Sequence, residues 1–202
     1  MPSSATLPRP QAERSAVMRR RLLDATVASL HELGYRRTTT REVQQRAGVS
    51  RGALLHHFGS RSELIVAAME HLAEERVGEV ARLAASPPPT SSRRRQWAIE
   101  VLWSTFDGPL FTASLELWLA ARTDGELLAA LAPRERALGR VIRDVARDLF
   151  GPGLSAAEDF DENLEIMLDA MRGAAARGVL RTAAIDRRLL ASWCGLMSGE
   201  SS

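Results

Sequence analysis

Between Thr39 and Glu63 the sequence sets three helix starts and two stops so close together that the backbone has few alternatives. Thr39 and Glu42, and again Ser60 and Glu63, have the S/T-x-x-E spacing of a capping box, in which hydroxyl and carboxylate satisfy reciprocal backbone N–H groups at a helix start. Gly48-Val49-Ser50 makes a turn, Ser50 is placed to cap a second short helix over Arg51 to Phe58, and Gly59 stops it. Two short helices joined by a glycine turn, Thr39 to Ala47 and Arg51 to Phe58, form a helix-turn-helix, whose second helix can enter a DNA major groove.

Glycine and proline divide the rest of the chain into further helical stretches, and no segment shows the period-two alternation of a strand. Ser15 to Leu33 carries Leu22, Leu23, Val27 and Leu30 on one stripe, with Gly34 placed as a left-handed C-terminal cap. Ser60 opens a long helix to about Ala85, with Leu64, Ile65, Ala68, Leu72 and Val80 on its apolar side. The Ser- and Pro-rich stretch from Ser86 to Ser92 is a loop. Beyond it the pattern predicts helices over Arg94 to Phe106, Leu110 to Arg122, Gly125 to Phe150 interrupted at Pro133, Asp161 to Leu180 and Ile185 to Met197. The fold class is therefore all-α, in about nine helices. The expected organisation is a disordered lead-in over 1–14, a helix-turn-helix domain over 15–61 and a second helical domain over 62–202.

Composition narrows the function. The chain has 202 residues, 45% hydrophobic and 26% charged, the balance of a globular protein. Its longest uncharged stretch, Leu189 to Gly199, is too short to cross a bilayer, and Met1 to Gln11 lacks the apolar core of a secretory signal. The single Cys194 can form no internal disulfide, so a cytoplasmic protein is expected. All 27 cationic side chains are Arg; residues 1–61 carry a net +7 and residues 62–202 a net −5. Such segregation suits one end to a polyanion, although a solvated basic surface would look the same.

In the helix-turn-helix, Gly48 permits a left-handed turn, Ala47 and Val49 sit where the helices pack, and Ser50, Arg51 and His56 are polar where the second helix would face nucleic acid. Gly52 and Ala53 let the helix N-terminus approach phosphate. The residues Gly34-Tyr35, Thr38-Thr39, Ala47 to Leu54, His56-His57-Phe58 and Ser60 to Leu64 together resemble the TetR family of bacterial transcription regulators, over about residues 17 to 77. The resemblance implies a three-helix DNA-binding head, a connecting fourth helix and a helical regulatory domain that binds a small molecule and dimerises. It also implies that Thr38, Thr39, Arg41 and Arg61 touch phosphates and that Ser50, Arg51, Gly52, Leu55 and His56 lie at the groove. Leu55 stands where the family usually has Tyr, and Gln44 where it often has Ala; Gln44, Arg51 and His56 are the candidates for reading bases.

Other residues admit simpler readings. His56 and His57 point about 100° apart on a helix, which does not make a metal site, and no metal or cofactor is expected. Cys194 has no associated base and reads as a buried structural thiol. Trp97, Trp103, Phe106, Phe111 and Trp118 crowd into two successive helices and are either core or the lining of an apolar cavity. With Met167 and Met171 they are the candidate ligand residues, facing Leu138 and Val141, and Glu116, Ser114 and Arg122 are candidate polar groups. The composition points to a small apolar effector. The stripes of the last two helices, from Leu164 to Gly178 and Leu189 to Met197, suit a homodimer interface or intramolecular burial. The whole reads as a homodimeric regulator, most simply a repressor released from a palindromic DNA operator by its effector. A constitutive DNA-binding protein and a helical enzyme are the rivals, and no paired acid and base supports the enzyme.

Overall fold

The computed structural model describes residues 11–88, 90–106, 108–178 and 187–197. Among these, ten helices and no strands are found: α1 (Gln11–Arg37), α2 (Thr40–Ala47), α3 (Arg51–His57), α4 (Arg61–Ala84), α5 (Ser91–Ser104), α6 (Pro109–Ala121), α7 (Gly125–Phe150), α8 (Pro152–Ser155), α9 (Phe160–Gly178) and α10 (Arg187–Leu196). The chain divides into two compact units between Ala68 and Met69.

Several boundaries depart from expectation for local reasons. α1 begins at Gln11, so residues 11–14 of the expected lead-in are helical. Gln, Ala, Glu and Arg all favour helix, and Glu13 complements the N-terminal dipole. Residues 1–10 lie outside the described residues. Gly34 interrupts α1 with φ 74° and ψ 172°, a positive-φ conformation that favours glycine but whose ψ lies outside the left-handed helical region of the expected cap, and one further turn then carries Tyr35 into the core.

Pro133 does not interrupt α7. The bond it forgoes is to the carbonyl of Ala129, an exposed residue whose oxygen water can satisfy. Gly151 does end α7, but Pro152 at once starts the additional one-turn α8, its fixed φ and missing N–H suiting a first helical position. The expected extensions to Leu180 and back to Ile185 fall outside the described residues.

The first unit packs Leu22 and Leu23 of α1, Val43 and Ala47 of α2, Leu54 of α3, and Phe58, Leu64 and Ala68 around one core, each at most 5% exposed. Each large apolar side chain contributes about 1.5–3 kcal/mol by leaving water. The second unit centres on Ile99, Leu102, Leu149, Phe150, Phe160, Leu164, Met167, Met171 and Trp193. Arg94 closes the end of α7 here, donating from Nε to the Leu149 carbonyl at 2.8 Å and from Nη2 to that of Asp148 at 2.7 Å.

Candidate functional site: a helix-turn-helix and a lined cavity

In the first unit, each end of the helix-turn-helix is fixed by its own sequence. The Thr39 hydroxyl accepts from the Glu42 N–H at 3.2 Å, and the Glu42 carboxylate turns to Arg46 at 3.4 Å instead of completing the box. Gly48 takes φ 62° and ψ 43°, a left-handed conformation costly for any residue with a Cβ. Its neighbouring carbonyl, on Ala47, accepts from Arg21 Nη2 at 2.6 Å, which ties the turn to α1. Ser50 Oγ accepts from the Ala53 N–H at 3.2 Å and starts α3. At the head of α4, Ser60 Oγ accepts from the Glu63 N–H at 3.1 Å while the Glu63 carboxylate accepts from Gly59 N–H at 2.8 Å.

This scaffold buries Leu54 and exposes Arg51, Gly52, Leu55 and His56 along one side of α3, with Ser50 and Thr39 exposed at the two helix starts. Arg41 is exposed on α2. Phe58 faces the core, His57 is half-buried, and His56 points outward. Burial, with His56 and Arg19 nearby, holds the His57 pKa below its ordinary value, so the neutral ring is favoured there.

Three residues expected at the DNA instead form hydrogen bonds within their own unit; Thr38 is buried, and Gln44 and Arg61 are half-buried. Thr38 is 1% exposed; its hydroxyl donates to the Gly34 carbonyl at 2.9 Å and accepts from Ser29 Oγ at 3.2 Å. Arg61 donates from Nε to the Thr38 carbonyl at 2.7 Å and from Nη2 to the Tyr35 carbonyl, so its guanidinium holds the α1–α2 connection. With its amide oriented to satisfy both neighbours, Gln44 donates to the Thr40 carbonyl at 3.3 Å and accepts from the Arg51 N–H at 2.7 Å, bracing the turn.

In the second unit, α4, α5, α6, α7 and α9 line a partly open cavity of about 150 Å³. Each helix turns one stripe toward it: Ala73, Arg76, Val77 and Val80 from α4, Leu102, Thr105 and Phe106 at and beyond the end of α5, Phe111, Ser114 and Trp118 from α6. From α7 come Glu135, Leu138, Gly139, Ile142 and Val145, and from α9 Leu168 and Arg172. Phe106 and Phe111 meet edge to face, their centroids 5.4 Å apart. Burial pushes the Glu135 carboxyl above its ordinary pKa, opposed by the Trp118 indole N–H and by Arg172.

Of the candidate ligand residues, Phe106, Phe111 and Trp118 line this cavity, as do Leu138 and Ser114. Trp97 and Trp103 do not; they pack on the neighbouring core, Trp103 with its centroid 5.4 Å from that of Trp193. Met167 and Met171 are fully buried in that core, and Val141 is 41% exposed. Glu116 and Arg122 are exposed. Sequence reasoning missed Glu135, Arg76 and Arg172; the signal for Glu135 was its place one turn before Leu138, on the stripe that Ile142 and Val145 continue. Cys194 is partly buried among apolar neighbours, and that burial raises its thiol pKa.

An all-α chain with a helix-turn-helix in its first unit and a lined cavity in its second belongs to the class of helix-turn-helix transcription regulators. Residues 22–68 match the profile of bacterial regulatory proteins of the tetR family. The uncharacterized HTH-type transcriptional regulator Rv2912c of Mycobacterium tuberculosis is 32% identical over 180 residues, covering 85% of this chain and 88% of that one. The HTH-type transcriptional regulator BetI of Escherichia coli is 31% identical over 113 residues, 55% of this chain and 56% of its own. A transcriptional regulator from Rhodococcus shares the fold at TM-score 0.66 and 20% identity, over 89% and 92% of the two chains. So does the multidrug binding protein EbrR in complex with proflavin, at TM-score 0.58 and 21% identity, over 89% and 99%. The chain belongs to the TetR family and is a DNA-binding transcriptional regulator, not an enzyme. Among the described residues no helix is long and apolar enough to cross a membrane.

Proposed function

We propose that this regulator is a homodimeric repressor that leaves a palindromic operator when a small, largely apolar effector occupies the cavity of its second unit. The observation that carries the reading is the cavity itself: five helices each give it one stripe, with three aromatic rings among the lining residues. At the DNA, Arg41 and Thr39 would meet phosphates, while Ser50, Arg51, Gly52, Leu55 and His56 would lie in the major groove, Arg51 able to reach guanine. Thr38, Gln44 and Arg61 act from behind, holding the surface that those residues present.

The dimer interface falls to the outer sides of α9 and α10. Leu164, Met167, Leu168 and Met171, expected there, are buried within their own unit. Ile166, Ala170 and Gly173 on α9 remain exposed, as do Ala191 and Gly195 on α10; Ile166 offers apolar area and the other four are small residues that permit close helix approach. Two copies so joined would place their α3 helices on half-sites about 34 Å apart or a multiple of that. The effector favours a dimer whose heads are wrongly spaced, a coupling of about 1–3 kcal/mol being ordinary for such linkage.

Selection from random duplexes gives the operator, and the same duplex then reports release. Retention of the operator by a protein that no apolar compound stabilises in a thermal-shift screen would give the constitutive reading instead.

A further inference from the structure

We propose that Leu55 selects a thymine in each operator half-site by packing against its 5-methyl group in the major groove, within about two base pairs of the guanine that Arg51 reaches. The proposal rests on reading α3 as the helix that enters the groove and names a base that it selects.

Leu55 is 49% exposed, and of the large apolar side chains exposed among the described residues it is the one in the helix-turn-helix. The packing of α3 does not need it: Leu54, 1% exposed, and Phe58 at the C-terminal end, 2% exposed, already anchor the helix to the core of the head. Folding therefore gains little from leucine at this position. Its surroundings are those of a face that meets a polyanion, since Arg51, Gly52 and His56 are exposed beside it and residues 1–61 carry a net +7.

Helix geometry sets where the side chain ends. Leu55 lies three residues after Gly52 and four after Arg51, and a long helical side chain leans back over the turn that precedes its own Cα. The Leu55 methyls are thus directed over Gly52 and alongside Arg51, toward the N-terminal turn that meets base edges. Gly52 leaves that space clear, because a Cβ built on it would have only Ser50 Oγ, 4.0 Å away, as a neighbour.

On the base edges of the major groove the thymine 5-methyl is the apolar substituent, and the other groups are hydrogen-bond donors and acceptors. Leucine pressed on a donor or acceptor strips its water and offers no bond in return. Against the methyl it removes apolar area from water on both sides. Arg51 and Leu55 therefore select a guanine and a thymine close together, one by hydrogen bonding and the other by apolar contact.

The test is a uracil scan of the operator selected from random duplexes. Deoxyuridine keeps the pairing and the O4 acceptor of thymine and lacks only the methyl. At one symmetry-related pair of thymines, within about two base pairs of the guanine whose preference Arg51→Ala relaxes, the substitution is expected to weaken binding about fourfold per half-site, the worth of one methyl-sized group. Leu55→Ala binds the thymine and uracil duplexes alike at that pair, and Leu55→Met, which keeps an apolar reach, retains most of the difference. Because Leu55 is exposed, both variants keep the melting temperature of the parent. A uracil penalty that Leu55→Ala leaves intact, a half-site with no thymine in that range, or a Leu55→Ala protein that loses affinity for every duplex alike overturns the assignment while the operator reading stands. A protein with no preference among duplexes overturns both.

Discussion

The guanidinium of Arg61 lies over the ring of Tyr35, its Cζ 4.2 Å from the ring centroid, while its nitrogens bind the carbonyls of Tyr35 and Thr38. One side chain at the start of α4 thus satisfies two carbonyls of the segment leading into α2. Arg61→Ala is expected to cost about 2–3 kcal/mol, since it removes charge-assisted hydrogen bonds and a cation–π contact. Urea unfolding would register the loss, while the salt slope of operator binding would stay unchanged. A slope reduced by one, with stability intact, would return Arg61 to the phosphates.

Arg41 and Arg51 separate the two kinds of DNA contact. Arg41→Ala should weaken binding to every sequence alike and lower the salt slope by about one. Arg51→Ala should instead cost about 1–3 kcal/mol on the operator and relax the preference at one base pair of each half-site. Binding isotherms on the operator and a scrambled duplex, over a range of salt, distinguish the two.

Gly151 and Arg94 should behave as a coupled pair. Gly151 has φ 76°, and a methyl group on it would overlap the Arg94 guanidinium that caps α7. Gly151→Ala therefore carries both backbone strain and displacement of the cap, about 2–3 kcal/mol in all. In an Arg94→Ala background the overlap is gone and only the strain remains. Strictly additive losses in a double-mutant cycle would deny the contact.

Glu135 predicts a pH dependence. Its folded-state pKa is raised by burial above the ordinary 4.5, so between those two values the folded protein holds more protons than the unfolded one. Stability of the ligand-free protein therefore falls as pH rises through that window, and the favourable contribution is fully present only below it. Glu135→Gln should abolish this decline and be the more stable form above the window. Melting temperatures of the two proteins across mildly acidic pH provide the comparison, and parallel curves would refute it.

Thr39, Gly48, Ser50 and Ser60 act on backbone groups within a few residues of themselves, which is why the helix-turn-helix was legible as a string of caps and stops. The apolar stripe of α7 was legible too, through Leu138, Ile142 and Val145. What did not follow was the partner of each long polar side chain. Arg61 has the sequence context of a phosphate contact, but its reach allows it to meet carbonyls 23 and 26 residues away. Thr38 looks like its exposed neighbour Thr39 until the break at Gly34 turns it inward. Trp97 and Phe106 are equally aromatic and both pack on the core, and only the tertiary packing turns Phe106 to the cavity as well.

The order of helices, their caps and the family were thus written in short-range chemistry, because propensity, capping and turn conformation depend on residues adjacent in the chain. The carbonyl-binding role of Arg61, the lining of the cavity and the burial of Glu135 within it arose only in three dimensions. Those depend on which stripe meets which, and on whether a charge finds its counterpart on another helix, matters that periodicity leaves open.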